Sequence, residues 1–281
     1  MSDVPAVIAE VLSTSRAVPA AAVLTLLWLV ESIQPRDVYL SWRLGHAVRN
    51  LALAVINGAV LFFTLGFVST VLSKSVVEHR IGLLNWLHLP TIAQLIAGCF
   101  VLDGWTYFWH RGNHWFPFLW RFHRVHHSDA EMDVTTSARF HVGELAMAAI
   151  FRMPVIVALG LSPETLVVHE TILLAVSQFH HSNISLGRFD SVLRLLIVTP
   201  TMHRIHHSRN VLETNSNYSS ILSLWDRLFG SHRNVNQDSA IRLGLDEFQD
   251  DHWQTISGML KTPFANVATQ EKPTGTPTAE S

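Results

Sequence analysis

Apolar residues in this chain gather into runs that are too long and unbroken for the helices of an ordinary soluble core. Leu51–Leu72 contains no charged residue, and Leu89–Trp109 contains only Asp103. A helix needs about 20 mostly apolar residues to cross a bilayer, so both runs predict membrane-spanning helices. Residues 17–30 form a shorter run, which reaches back to about residue 6 once Glu10 and Arg16 are crossed. Asp3, Glu10 and Arg16 stand where a cleaved leader carries a basic bias, so this start predicts a retained helix.

Two more apolar runs, Val142–Leu161 and Pro163–Phe179, are joined through Gly160-Leu161-Ser162-Pro163 and carry Glu144, Arg152, Glu164, His169 and Glu170. Their polar content predicts a shallow helical hairpin. After residue 188 the chain becomes more polar, and from about Thr262 it is rich in Pro, Thr, Gly and Glu, a composition that predicts a disordered tail. The pattern predicts an all-α, multi-pass integral membrane bundle with a histidine-rich helical cap. It divides into N-terminal membrane helices (1–94), a histidine-rich region containing the hairpin (95–235) and a C-terminal extension (236–281). The loop 32–50 carries Arg36, Arg43 and Arg49, and the segment 110–141 carries Arg111, Arg121, Arg124 and Arg139, whereas the loop 73–88 has Lys74 and Arg80. Basic loops stay in the cytoplasm, which predicts a cytoplasmic cap.

Composition agrees with a membrane location. The chain is 48% hydrophobic and 15% charged, with a mean hydropathy of +0.25, against about 25% charged residues in soluble proteins. Net charge is −2 and the arginines are scattered, so nucleic-acid binding has no electrostatic footprint. The lone cysteine, Cys99, excludes a disulfide framework, a cysteine zinc site and an intrinsic iron–sulfur cluster.

The chemistry lies in the histidines, of which there are 17. Three windows concentrate them: His110-Arg-Gly-Asn-His114, His123-Arg-Val-His126-His127 and His203-Arg-Ile-His206-His207. Positions i, i+3 and i+4 share a helix face, so each window is expected to aim its imidazoles at one point. Neutral imidazoles suit Fe, Zn, Cu or Ni, whereas Mg and Ca prefer oxygen. These ligands are too many for one ion, and a two-metal centre follows. Asp103, Tyr107, His110 and His114 form one helical stripe, which suggests that Asp103, supported by Tyr107, accepts the far N–H of a metal-bound imidazole. Adjacent His180 and His181 point about 100° apart and are not expected to share an ion. His46, His79, His88, His232 and His252 are isolated and read as loop or interfacial residues, and His169 reads as a hydrogen-bonded partner.

The order of motifs then becomes specific. Asp103-x-x-x-Tyr107-x-x-His110-Arg-x-x-His114, His123-x-x-His126-His127-Ser, Arg139-x-His141-x-x-Glu144, His181-Ser-Asn183 and Thr199-Pro-x-Met-His203-x-x-His206-His207-Ser follow one another. Glu213-Thr-Asn-Ser-Asn217-Tyr218 and Leu224-Trp-Asp226-Arg-Leu-Phe-Gly230 complete the series. Over roughly residues 95–235 this resembles the fatty acid hydroxylase/sterol desaturase superfamily, membrane-bound di-iron oxidoreductases that use O2 on lipid C–H bonds. The resemblance implies His110, His114, His123, His126, His127, His203, His206 and His207 as metal ligands, with His181 as a ninth. Ser177, beside Gln178, stands where some members have a further histidine, so a tenth ligand is absent or replaced. His141 lacks the usual following proline, Val142 standing there, and is open between ligand and hydrogen-bonding neighbour. His180, Asn183, Asn217, Tyr218 and Asp226 are further candidates for bonds to ligands.

The implied function is hydroxylation of an unactivated C–H bond in a fatty acyl, sterol or related lipid. A desaturase of the same superfamily is the alternative, and a histidine-rich membrane metal-transport or metal-binding protein is the rival from another class. The cofactors implied are two iron ions, with zinc possible in purified samples, and O2 is the co-substrate. The chain shows no His-Pro-Gly-Gly cytochrome signature and no GxGxxG fingerprint. An external donor of ferredoxin, rubredoxin or cytochrome type is therefore expected, docking at Arg121, Arg124 and Arg204.

Overall fold

The computed structural model describes residues 17–38, 43–234 and 241–266. Among these residues every regular element is helical, and β-structure is limited to two isolated antiparallel bridges, Ile197 with Leu222 and Ser208 with Leu243. The part of the N-terminal run before Ala17 lies outside the described residues.

Helix α1, Ala17–Ile33, is the short apolar run of the sequence. Helix α2, Arg43–Leu61, starts well before the apolar stretch that predicted it, because its first turns bury His46, Ala47 and Asn50 against protein. The expected span Leu51–Leu72 is not one α-helix. A π-helical turn at Phe62–Gly66 separates α2 from α3, Phe67–Glu78. A one-turn α4, Leu83–Trp86, leads into α5, Thr91–Trp115. With 25 residues, α5 is about 37 Å long. It holds both the apolar run and the first two histidines, so that pair rides on the helix of the predicted span.

Phe116 breaks the backbone into an extended conformation, and Pro117 starts α6, Pro117–His127, a position where its missing N–H costs nothing. A 3-10 turn, Val134–Ala138, is capped by Asp133. The predicted hairpin follows as α7, Val142–Leu159, and α8, Pro163–His181. Gly160 ends α7 with φ 72°, a left-handed conformation that glycine adopts without a Cβ clash. Gly82 packs on it so closely that a Cβ there would lie 2.2 Å from the Gly160 nitrogen. Short helices complete the fold: α9, Asp190–Leu193; α10, Pro200–His206; α11, Val211–Thr214; α12, Leu224–Leu228; and α13, Ile256–Lys261.

By length and composition α2 and α7 can each cross a membrane, and the segments Thr64–Trp86 and Thr91–Trp115, bent by 82°, pass the same test together. Within the hairpin, then, α7 is long and apolar enough for a full span, while α8, with Glu164, His169 and Glu170, falls short. Val76, Leu84, Leu102, Ile156, Leu161 and Leu166 form a core where α3, α4, α5, α7 and α8 meet. That core fixes α5, α7 and α8 relative to one another, and these three helices carry histidines or Glu144 into the site.

The disorder expected from Thr262 does not hold for residues 262–266, which are ordered. Thr262 and Pro263 are buried, and the carbonyls of Thr262 and Ala265 accept hydrogen bonds from Arg124 at 2.5 and 2.9 Å. An arginine buried in α6 needs such acceptors, and these residues supply them. Residues 267–281 lie outside the described structure.

Candidate metal centre

Nine histidines converge from α5, α6, α8 and α10, and they converge on two points. Ring nitrogens of His110, His114, His123, His127 and His206 lie within 4.8 Å of one another, and so do those of His126, His181, His203 and His207. Each His-x-x-His-His window was expected to serve one point. Instead it is split. Helix α6 gives its i,i+4 pair, His123 and His127, to the first group and His126 to the second. On α10 and its C-terminal residue the i,i+4 pair, His203 and His207, joins the second group and His206 the first. The reason is helical: residues four apart nearly eclipse, while the third histidine sits beside one of them, about 100° around the axis.

Hydrogen bonds fix which nitrogen faces inward. Nδ1 of His110 donates to the Tyr218 carbonyl at 2.7 Å, Nδ1 of His206 to the Ser216 carbonyl at 2.7 Å, and Nδ1 of His123 to Glu144 Oε1 at 2.7 Å. In the second group Nδ1 of His181 donates to the Ser177 carbonyl at 2.7 Å. A neutral imidazole has one N–H, so Nε2 of each of these rings is a bare lone pair. Yet His110 Nε2 lies 3.1 Å from His123 Nε2 and 3.0 Å from His206 Nε2. Around the second point, His181 Nε2 lies 3.0 Å from His126 Nε2 and 2.9 Å from His203 Nε2. At the first point the bare lone pairs of His110, His123 and His206, aimed at one another at this range, repel unless a cation sits between them. At the second only the His181 lone pair is fixed inward, since Nδ1 of His126 and His203 has no partner. Metal–nitrogen bonds of about 2.1 Å would place adjacent donors at such separations.

Burial keeps the rings in the ligand state. It holds His126, His127, His203 and His207 well below the usual imidazole range, with neighbouring histidines adding to the effect. His206 is pushed down to about 3, chiefly by burial and in part by His123 and His181, against its bond to Ser216. Both ring nitrogens of His114, and Nδ1 of His126, His127, His203 and His207, are buried without a hydrogen-bond partner. Neutral, converging and under-satisfied, these residues fit a pair of imidazole-bound cations.

The remaining candidates take other positions. Asp103 does not reach an imidazole as expected. Its Oδ2 accepts the Trp225 indole N–H at 2.8 Å and the Leu222 backbone N–H at 3.2 Å. Tyr107 does not support Asp103 either; its hydroxyl pairs with Ser231 Oγ at 2.8 Å and accepts from Arg111 at 3.1 Å. His141 lies outside both groups and caps α7, Nδ1 accepting the Gly143 N–H at 2.9 Å. His180 is also outside both groups, its ring centroid 4.0 Å from that of His203. Asn183 clamps Asp37, donating to its carbonyl at 2.7 Å and accepting from its N–H at 3.1 Å. Asn217, at φ 52°, bonds the carbonyls of Met202 and Arg233 and so ties α10 to the strand of chain after α12. Tyr218 touches the site through its carbonyl and through its ring, 5.2 Å from His114. Its N–H and that of Ser219 are held by Asp226 at 2.7 and 3.0 Å.

Two residues were assigned no such role by sequence reasoning. Glu144 is buried against His123 and also accepts from Asn113 Nδ2 at 3.1 Å. The signal was a carboxylate inside an apolar run, which demands a partner. His46, read as isolated, is buried with Nε2 2.9 Å from both oxygens of Asp129 and Nδ1 3.3 Å from Asp133. The docking arginines also need correction. Arg124 is buried on the Thr262 and Ala265 carbonyls, and Arg204 is buried against Asp37, which leaves Arg121 exposed.

Comparison with known proteins bears on this arrangement. Residues 95–231 match the family described as fatty acid hydroxylase. The chain is 30% identical over 157 residues to the ornithine lipid hydroxylase OlsE of Rhizobium tropici, covering 56% of this chain and 46% of that one. It is 36% identical over 128 residues to the alkylglycerol monooxygenase of Danio rerio, covering 44% and 27%. With the cholesterol 25-hydroxylase of Rattus norvegicus it shares 25% identity over 159 residues, covering 51% and 49%. The matched segments span less than half the length of each of these relatives. No solved structure matches significantly. The matched residues begin inside α5 and end just after α12, so the segment that is similar to the fatty acid hydroxylase family encloses all nine converging histidines.

Proposed function

We propose that the chain is an O2-dependent di-iron membrane oxidoreductase that hydroxylates an unactivated C–H bond of a lipid. The observation that carries this reading is the convergence of buried ring nitrogens on two points, with the bare Nε2 lone pairs of His110, His123 and His206 opposed at the first. His110, His114, His123, His127 and His206 would hold one ion, and His126, His181, His203 and His207 the other. Two irons bound there would supply the activation of O2 and the cleavage of the C–H bond.

The chain's own residues do the rest. Glu144 and the carbonyls of Ser177, Ser216 and Tyr218 hold the inner tautomers in place. The burial that keeps the imidazoles neutral also excludes bulk water from the reaction. The exposed apolar flanks of α5 and α7, including Phe108, Ile150 and Phe151, give a lipid a route from the bilayer. The basic loops set the metal-bearing helix ends toward the cytoplasm. There an external donor of ferredoxin, rubredoxin or cytochrome type delivers electrons. The relatives are named hydroxylases and monooxygenase, which favours hydroxylation over desaturation. A metal carrier is disfavoured because neither group of converging donors includes a carboxylate.

The test is activity-linked, because zinc outcompetes Fe(II) for such sites in purified material. Cells expressing the chain, or a His126→Ala/His206→Ala variant, are grown under 18O2 and their lipids compared by mass spectrometry. A lipid that gains one 18O only with the intact chain establishes the hydroxylase and identifies its substrate. Loss of two hydrogens without label makes it a desaturase. Identical lipids, with metal lost from the variant, would move metal handling to the front.

A further inference from the structure

The sequence turns polar after residue 188, but the structure exposes an apolar face there. Phe189, Val192, Leu195 and Leu196, in and around α9, and Leu224 and Leu228, on α12, are each between 44% and 67% exposed. The two segments are one unit. The Val198 N–H donates to the Ile221 carbonyl at 3.0 Å, the Ser223 N–H to the Leu196 carbonyl at 3.1 Å, and Arg227 to the Arg194 carbonyl at 2.8 Å. Single exposed leucines need no explanation, but an apolar surface assembled from two segments does.

Two observations indicate what covers it. The first is continuity with α5, which belongs to a candidate membrane-crossing pair. Trp225 packs on Phe100 with ring centroids 4.9 Å apart, and Phe229 packs on Phe108 at 4.8 Å. Phe100 and Phe108 are themselves exposed, so the face extends the apolar flank of α5 sideways. The second is charge. Asp190 is buried and paired with Arg194, and Asp226 is buried on backbone N–H groups. Arg188 and Arg227 have no carboxylate within ion-pair distance among the described residues. An apolar face with a basic rim is the pattern of a segment lying in the boundary between acyl chains and anionic headgroups.

We propose that the α9 segment and α12 form an interfacial unit embedded in the bilayer surface, with the lipid bilayer itself as its partner. The unit brings the acyl boundary to Phe229, whose ring stacks on Tyr107 at 5.4 Å, one helical turn before His110. The lipid phase thereby reaches the flank of the first histidine group.

The test reads depth and is independent of catalysis. In the full chain with Cys99→Ser, single Leu195→Cys, Leu228→Cys and, as an independent second reading of α12, Leu224→Cys variants carry a nitroxide in nanodiscs containing phosphatidylglycerol. Ile150→Cys on α7 and Asp251→Cys provide the lipid-facing and aqueous references. The expected result is collisional relaxation by O2 over a nickel chelate several-fold above the Asp251 value and close to that at Ile150. Labels that behave like Asp251 would overturn the proposal. So would labels shielded from both reagents, which would mean that protein, a second copy or another chain, covers the face.

Discussion

Glu144 Oε1 lies 2.7 Å from His123 Nδ1 and 3.1 Å from Asn113 Nδ2, so one buried carboxylate links α5, α6 and α7 at the first histidine group. Replacing it by alanine leaves His123 free to turn and removes the acceptor that fixes its tautomer. Such outer partners are worth about 10–100-fold in metal affinity. Glu144→Ala is expected to lose iron from the first site by that factor in a chelator competition, while Glu144→Gln, which keeps an acceptor oxygen, retains most of it. Equal affinity in Glu144→Ala and the parent would remove Glu144 from the site.

His126 and His127 are neighbours in sequence that face different groups. His126→Ala is therefore expected to weaken one ion and His127→Ala the other. Mössbauer spectra of 57Fe-loaded protein would show different components depleted in the two variants. Loss of the same component from both would contradict the division of the windows.

The acid sensitivity of the metal-free chain follows from buried neutral imidazoles. His126, His127, His203, His206 and His207 all have folded values below the ordinary 6.5. Well above pH 6.5, at about pH 8, neither state binds these protons and stability is complete. As pH falls below 6.5 the unfolded chain takes up protons that the folded chain refuses, so stability declines until the folded values are reached, about 3 for His206. Each such imidazole contributes a slope of about 1.4 kcal/mol per pH unit. The thermal midpoint of apo protein in detergent should fall steeply from pH 7 to pH 5; a flat profile would mean that the rings are not neutral and buried.

His46→Ala removes the partner that faces Asp129 and Asp133 in a buried pocket closed by Asn50 and Thr136. Breaking such a pair typically costs about 3–5 kcal/mol, because the charge left behind is uncompensated. The triple variant His46→Leu/Asp129→Asn/Asp133→Asn should recover part of that loss in a denaturant titration. If the triple variant is no more stable than His46→Ala, the penalty lies in packing rather than in charge.

Local order was legible in the sequence, while long-range closure was not. The stripe Asp103–Tyr107–His110–His114 follows from the helical period alone, and α5 bears it as one helix. Asp103's actual partner, Trp225, lies 122 residues away, and nothing in the spacing announces it. His46 and Asp129 are 83 residues apart, so each looks isolated until α2 packs beside the turn after α6. The π-helical turn at Phe62–Gly66 was hidden as well, since hydropathy reports that a run is apolar without reporting where its hydrogen bonding changes register. That the histidines exceed one ion's coordination could be reached by counting imidazoles. How each window divides required the directions in which α6 and α10 face one another.

That division has a mechanical consequence. Because His126 and His127 are joined by one peptide bond, and His206 and His207 by another, the separation of the two histidine groups is set by the pitch of a helix backbone rather than by the packing of loops. A helix that slides or tilts carries a donor of each group with it. The pair would therefore move as a unit, its spacing held steady while the rest of a lipid-embedded bundle breathes around it.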